Sequence, residues 1–151
     1  MSMEQAQMTG RLVEKELFIQ ASPERVFRAL TTKEELERWF VMKAEIDLRP
    51  GGAIKFAWTP EAFEVGKILE LEPPHRLSYT WETFGPGPTI VTFELAAEGA
   101  GTRLRLIHTG IGNSADWDNY YNAVNGGWNA HLADLTSWLE VGICPPPGSR
   151  G

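Results

Sequence analysis

Cysteine is almost absent from this sequence, since Cys144 is the only one. A single cysteine cannot form an intramolecular disulfide or supply a cysteine-based metal cluster. Because Cys144 precedes three consecutive prolines near the C-terminus, we expect it to have no role in fold or function. The histidines His75, His108 and His131 also stand apart, without HExxH spacing. No metal and no other cofactor is therefore predicted.

An excess of basic residues and a long apolar run are also missing. The formal net charge is -6, and the lysines and arginines are scattered along the sequence. They form no basic stripe that could bind the phosphate backbone of a nucleic acid. No segment reaches the roughly 18 apolar residues of a membrane helix, and the N-terminus lacks the pattern of a signal peptide. We therefore expect a cytoplasmic protein that binds neither nucleic acid nor membrane.

The composition that remains is that of an ordinary globular domain. Hydrophobic residues make up 42% and charged residues 23% of the 151 residues, which favours a packed core over disorder. The chain is long enough to bury one sizeable core, and no linker or repeat divides it. We predict one domain over residues 11–142, with residues 1–10 and 143–151 as loose termini.

The longest periodic segment covers residues 116–141 and predicts an α-helix. Asp116 and Asp118 are expected to cap its N-terminus. The pair Gly126-Gly127 is unusual there, because each glycine costs a helix interior about 1 kcal/mol relative to alanine. We interpret the pair as a kink or a close approach of the helix to a sheet, with a hinge beside a ligand cavity as the alternative. Apolar residues three or four positions apart form its stripe: Trp117, Tyr121, Val124, Trp128, Leu132, Leu135 and Leu139.

Before that helix, the sequence predicts one strand, two short helices and six further strands. Residues 11–20 alternate as a half-buried strand, and Ser22-Pro23 begins a helix. Thr32 and Glu35 have the spacing of a capping box for the next helix. Alternating segments then follow one another through hairpin-length turns rich in proline and glycine, which favours an antiparallel sheet. The predicted class is α+β, with the sheet curved around the last helix.

Five segments, in this order, resemble one family: ASPERVFRALTTKEELERWF, DLRPGG, GKILELEPPHRLSYTWE, GTRLRLIHTGIG and GGWNAHLADLTSWLE. They are similar to homologues of the activator of heat-shock protein 90 ATPase, within the SRPBCC (START-like, pollen-allergen-like, helix-grip) group. The resemblance covers residues 11–142. It implies a seven-stranded antiparallel sheet wrapped around a long C-terminal helix, with two short helices after the first strand and an apolar cavity between sheet and helix. Relatives include lipid carriers, polyketide cyclases, hormone receptors and cochaperone domains.

Inward-facing aromatic residues supply a candidate lining for such a cavity, because bulky flat side chains on a curved sheet often leave a pocket. Aromatic rings provide contact area, and His108, which alternates with Leu104 and Leu106, would be one polar anchor. A packed core is the alternative for any one of them. We expect residues 84–88 and the pair Trp39-Phe40 to lie near the cavity mouth. The predicted lining consists of Trp39, Phe56, Trp58, Tyr79, Trp81, Phe93, His108 and Trp128.

The predicted function is the binding of a small hydrophobic or aromatic molecule, by a monomer or a homodimer. One alternative is a cyclase- or hydrolase-like enzyme that uses His108 in the same cavity. Another is a stress-response module whose partner is a chaperone. No catalytic residue is predicted, because the sequence presents no acid and base held together. Glu82 is expected to face solvent, and His131 to pack against the edge of the sheet.

Overall fold

The computed structural model describes residues 10–142, and within this range seven strands form one antiparallel sheet. Three α-helices are present in the same range, with the element order that the sequence predicts. This confirms the α+β helix-grip architecture, including two short helices after the first strand. The predicted loose termini fall almost entirely outside the described residues, and so does Cys144.

The bounds of the elements agree with the sequence pattern to within a few residues. The strands are β1 (Arg11–Ile19), β2 (Lys43–Ile46), β3 (Ala53–Ala57), β4 (Phe63–Glu72), β5 (Arg76–Trp81), β6 (Thr89–Glu98) and β7 (Gly101–Ile111). The helices are α1 (Pro23–Thr31), α2 (Lys33–Trp39) and α3 (Asp118–Glu140), and a 3-10 turn at Ala115–Trp117 precedes α3. None of the helices in residues 10–142 is long and apolar enough to cross a membrane.

The strands follow the spatial order β1-β7-β6-β5-β4-β3-β2, so β1 and β2 form the two edges. The register aligns inward residues across neighbouring strands. Tyr79 on β5 lies opposite Val91 on β6, and Val91 lies opposite His108 on β7, which in turn faces Val13 on β1. All four are buried. The sequence pattern predicted that His108 faces inward, and its burial confirms this prediction.

The core lies between the inward face of the sheet and one face of α3. Trp128, Leu132 and Leu135 are buried on that helix face. Phe40, which follows α2, reaches the same layer, and its ring stacks on Trp128 with centroids 5.8 Å apart. Because α1 and α2 bury their own apolar faces here, the sheet, the short helices and α3 share one cluster of apolar side chains.

Both short helices start where the sequence predicts, but only α1 has the predicted cap, because Thr32 precedes α2 without a side-chain cap bond. The hydroxyl of Ser22 accepts a hydrogen bond from the amide of Arg25 at 3.2 Å, as an N-cap should. The predicted capping box at Thr32 and Glu35 is wrong, because Glu35 accepts instead from Arg25 at 2.6 Å and from the indole of Trp138 at 2.9 Å. Burial alone would raise the pKa of Glu35, but these hydrogen bonds outweigh it and lower the pKa. Glu35 thereby joins α1 and α2 to α3.

The predicted aspartate caps of α3 are also wrong, and so is one interpretation of its glycine pair, the close approach to a sheet. No described side chain caps its first turn, and Asp118 pairs with Arg11 of β1 at 2.9 Å, although its charge still suits the positive end of the helix. The glycine pair does not bring the helix backbone against the sheet. Within residues 10–142, a Cβ added at Gly126 would meet nothing within 4 Å, and one at Gly127 would meet only the His131 ring, at 4.0 Å.

Candidate functional site

An apolar pocket of about 300 Å³ lies between the sheet and α3. The sheet side contributes Trp58 after β3 and Trp81 at the end of β5, and Phe84 comes from the loop beyond β5. The first half of α3 supplies the opposite wall, where Gly127 leaves space that a side chain would fill. The complete lining is Trp58, Ala62, Trp81, Phe84, Tyr120, Ala123, Val124, Gly127, Trp128 and His131.

Three tryptophans define the shape of this pocket. The rings of Trp58 and Trp81 meet edge to face with centroids 5.8 Å apart, and Trp81 stacks on Trp128 at 5.4 Å. Both geometries are favourable for aromatic pairs and add to the stabilisation from apolar burial. Phe84 is 48% exposed and lies 6.0 Å from Trp58, so it is the aromatic residue at the mouth. The wall is therefore rigid on the sheet side and open at the loop.

The indole nitrogens of Trp58 and Trp81 are buried, and neither has a hydrogen-bond partner among the described residues. Indole N–H is a donor only, so each group needs an acceptor. Leaving a buried donor unsatisfied costs about 1–3 kcal/mol. Both nitrogens are closed off from the pocket surface, so they add to the cost of this packing arrangement and are not exposed to a ligand in the pocket.

The structure divides the eight residues of the predicted lining into two groups. Trp58, Trp81 and Trp128 line the pocket. The remaining five do not line it and are buried in the core behind it: Trp39, Phe56, Tyr79, Phe93 and His108. Burial raises the pKa of Tyr79 well above its usual range, in keeping with a neutral core hydroxyl.

The expectation that Trp39 and Phe40 lie at the cavity mouth needs correction. Both are 2% exposed, and the indole N–H of Trp39 donates to the carbonyl of Ala29 at 2.9 Å. Their contacts explain these positions, because Trp39 is tied to α1 and the Phe40 ring packs between Phe56 of the sheet and Trp128 of α3. Of the loop predicted with them, Phe84 lies at the pocket and lines it.

His108 is held in a closed network of hydrogen bonds. Its Nδ1 accepts from the indole of Trp128 at 3.0 Å, which leaves the proton on Nε2. Nε2 lies 2.9 Å from the Thr89 hydroxyl and 3.3 Å from that of Tyr120. Burial lowers the pKa of His108 to about 3. The imidazole is therefore neutral at physiological pH, and both of its nitrogens are already occupied.

Tyr120 and His131 line the pocket although the sequence did not place them there. Tyr120 closes the network with a hydrogen bond to Thr89 at 3.0 Å. The His131 ring lies edge to face with Phe40 at 4.9 Å and 6.2 Å from Trp58, so it packs on the inward side rather than at the sheet edge. Both side chains lie on α3. Whether they reach the pocket depends on how that helix is rotated about its own axis.

Glu64 is the polar residue that sequence reasoning missed. It is 0% exposed on β4, and its Oε2 accepts from the backbone amides of Thr83 and Phe84 at 2.8 and 3.1 Å. Burial raises the pKa of Glu64, and the hydrogen bonds that it accepts from the two backbone amides oppose that shift. A signal was present, since Glu64 has the same strand phase as the buried Ile68. Glu82, by contrast, is exposed as expected.

Comparison with known proteins decides the family. Residues 20–140 match the model of the family described as Activator of Hsp90 ATPase homolog 1-like protein. The chain belongs to this family. The resemblance found in the five sequence segments is thereby confirmed, and with it a fold suited to a ligand-binding domain. No curated protein matches the chain in sequence.

Solved structures of similar proteins support this Hsp90-activator-like fold. Protein MLL2253 from Mesorhizobium loti is 28% identical with a TM-score of 0.79, over 88% of this chain and 99% of that protein. CalU16 from Micromonospora echinospora is 29% identical with a TM-score of 0.73, over 87% and 77% of the two chains. The Aha1 dimer from Colwellia psychrerythraea is 26% identical with a TM-score of 0.75, over 87% and 98%.

Proposed function

We propose that residues 11–142 act as one domain that binds a small hydrophobic or aromatic molecule in the pocket between the sheet and α3. The observation that carries this proposal is the apolar cavity of about 300 Å³ walled by Trp58, Trp81 and Trp128. Ligand pockets in proteins begin at roughly this size and are mostly lined by apolar and aromatic side chains. A compound of one or two fused rings suits the volume.

The contacts available to such a ligand are chiefly apolar. The aromatic walls supply area, at about 25 cal/mol for each Å² of apolar surface removed from water. Trp39, Phe56, Tyr79, Phe93 and His108 would support these walls from behind rather than touch the ligand.

The cyclase- or hydrolase-like alternative through His108 has no supporting geometry. A general base must offer a free lone pair within reach of substrate. The Nδ1 lone pair of His108 is used by Trp128, and the Nε2–H faces Thr89 and Tyr120. Among residues 10–142, no group of three histidine, cysteine, aspartate or glutamate side chains is arranged to hold a metal either. Binding without turnover is the simpler proposal.

Partners other than the ligand rest on the relatives. The structure of the Colwellia relative is described as a dimer, and this supports a homodimer over a monomer for the present chain. The chaperone partner rests on the family's description alone, and the cytoplasmic location and stress-response role stay predictions from the sequence. Light scattering on the purified protein measures the mass in solution, and a mass of one chain at high concentration would count against the dimer.

The pocket can be tested by filling it from α3. We expect Gly127→Leu to weaken the binding of indole or benzofuran about tenfold or more. The leucine side chain would occupy space that the ligand needs, and a loss of about 1.4 kcal/mol in binding free energy is already tenfold in affinity. Protein NMR titration, followed on the indole N–H resonances, gives the dissociation constants.

Gly126→Leu is the matched control, because it makes the same change one residue earlier on α3. Gly126 is exposed and does not line the pocket, and a Cβ there meets nothing within 4 Å in the part of the chain that the structure describes. Both variants gain helix propensity, since leucine is favoured over glycine by somewhat less than 1 kcal/mol. Equal affinity in the two variants, or wild-type protein that binds neither probe, would contradict the proposed site.

A further inference from the structure

We propose that the hydroxyl group of Tyr120 is the polar anchor of this pocket and that it selects ligands carrying a neutral hydrogen-bond acceptor, such as a carbonyl oxygen. The inference rests on the proposed function and adds to it the chemical class of the ligand. It follows from the protons in the network of His108, Thr89 and Tyr120, which holds one proton more than it can use internally.

The Tyr120 hydroxyl group lies where α3 meets the sheet, beside Trp81. Thr89, whose hydroxyl is 3.0 Å away, is the register partner of Trp81 on the neighbouring strand. His108, whose Nε2 is 3.3 Å away, meets the Trp81 ring edge to face with centroids 5.2 Å apart. Since Trp81 and Tyr120 both line the pocket, this hydroxyl group belongs to the wall that a ligand would contact.

The tautomer of His108 fixes the direction of the first hydrogen bond in the network. The indole N–H of Trp128 can only donate, so Nδ1 of His108 accepts from it at 3.0 Å and Nε2 carries the proton. Nε2 therefore donates, and Thr89 at 2.9 Å is the nearer of its two hydroxyl neighbours. Because Nε2 has no lone pair left, it accepts a proton from neither hydroxyl group.

The hydrogen bond between Thr89 and Tyr120 uses only one of their two hydroxyl protons. If Tyr120 donated, the Thr89 proton would be left over, and Thr89 is 0% exposed with no other acceptor among residues 10–142. A buried donor in that situation is unfavourable. If Thr89 donates, the remaining proton is on Tyr120, which lines the pocket and is 9% exposed. The second arrangement is therefore favoured.

The free proton determines what kind of ligand group suits this wall. Burial raises the pKa of Tyr120 to about 12, so the hydroxyl group remains a donor at neutral pH. A ligand oxygen that accepts from it would complete the network, whereas a hydrocarbon would leave the proton without a partner. The negative charge of Glu64 also raises the pKa of Tyr120, and the same charge would repel a ligand carboxylate. A neutral acceptor avoids that repulsion.

The test compares indane with indanone, in which a carbonyl group next to the aromatic ring replaces one CH₂ group. Tyr120→Phe keeps the ring and removes the hydroxyl group, and it takes an acceptor from Thr89 in the same way for both probes. Without a donor, an apolar pocket should prefer the less hydrated indane. We expect the ratio of the two dissociation constants, measured by protein NMR titration, to shift about tenfold toward indane in Tyr120→Phe.

Tyr121→Phe is the matched control, because it removes a hydroxyl group from the next residue of α3, which does not line the pocket. It should keep the wild-type ratio. Thr89→Val distinguishes the two directions of the hydrogen bond between Thr89 and Tyr120. If Thr89 donates, the Tyr120 proton is free in wild type and variant, and the ratio is unchanged. If Tyr120 donates, the variant releases that proton and the ratio shifts toward indanone.

The same ratio in wild type and Tyr120→Phe, or a shift toward indanone in Thr89→Val, would overturn the anchor and leave the pocket in place. If neither probe binds wild-type protein, the proposed function fails as well. Infrared spectroscopy decides without any variant, because a hydrogen bond lowers the stretching frequency of a carbonyl group. The band of isotope-labelled indanone should lie lower in the complex than in cyclohexane. A band at the cyclohexane position would contradict the anchor even if Tyr120→Phe does not fold.

Discussion

Replacing Trp39 with alanine is expected to lower the free energy of unfolding by about 3–5 kcal/mol, as for other buried large-to-small changes. The indole is 2% exposed and stacks on Phe40 with centroids 4.9 Å apart. It also donates to the Ala29 carbonyl, which would lose its partner. Since whole domains are stable by only about 5–15 kcal/mol, this single change would remove much of the total. Denaturant unfolding measures it.

Binding of indole should change far less than stability in Trp39→Ala, because Trp39 does not line the pocket. If Trp39 lay at the cavity mouth, the opposite result would be expected: the variant would lose affinity for the ligand more than it loses stability. Trp39→Phe serves as the control, since it keeps a ring against Phe40 and loses only the hydrogen bond, at about 1 kcal/mol, and the part of the indole that a phenyl ring does not fill. A large loss of affinity in a Trp39→Ala protein that is still stable would show that Trp39 belongs to the ligand site.

Mild acid is expected to destabilise the protein through His108. The pKa of this group falls from 6.5 to about 3 on folding because burial disfavours the charged imidazolium. A lowered pKa means that the unfolded chain binds the proton more readily, so the stability present above pH 6.5 is lost as the pH falls toward 3. At about 1.4 kcal/mol per unit, this group accounts for about 5 kcal/mol over the full window and about 2 kcal/mol by a pH of about 5.

His108→Gln isolates this contribution, because glutamine does not titrate but can still accept from Trp128. The variant should be less stable at neutral pH and yet lose little further stability between pH 6.5 and about 5. His75→Asn, which changes an exposed histidine, should behave as wild type. Glu64 acts in the opposite direction, since its raised pKa adds stability as the pH falls. The same steep loss in wild type and His108→Gln would show that His108 is not the cause.

Much of the fold could be predicted because its signals are local. A strand exposes alternate residues to one face, so Leu104, Leu106 and His108 had to share a side once β7 was recognised. The stripe that includes Trp128, Leu132 and Leu135 likewise required one buried face on a long helix. Ser22 followed by Pro23 specified the start of α1 without any reference to the rest of the chain.

Predictions failed where a local signal competed with a distant partner. Glu35 had the right spacing to cap α2, but Trp138, far away in sequence, offers its indole N–H to the same carboxylate. Asp118 stands at the start of α3, yet Arg11 of the first strand pairs with it. In both cases the side chain forms the interaction made available by packing, because a hydrogen bond between groups brought together by the fold costs little additional ordering.

The sequence by itself determined the order of the elements, the inward direction of strand residues such as His108, the family, and the aromatic character of the interior. Only the tertiary structure decided which inward aromatic residues pack tightly and which face empty space. Trp39 and Trp58 are both inward tryptophans, but Trp39 packs on Phe40 and donates to Ala29 of α1, whereas Gly127 of α3 leaves room beside Trp58. The same holds for Glu64, whose burial depends on the loop after β5. The periodicity of a helix or strand determines the direction in which each side chain points. How deeply that side chain is buried, and how much space lies beside it, depends on other elements that meet it only in the folded chain.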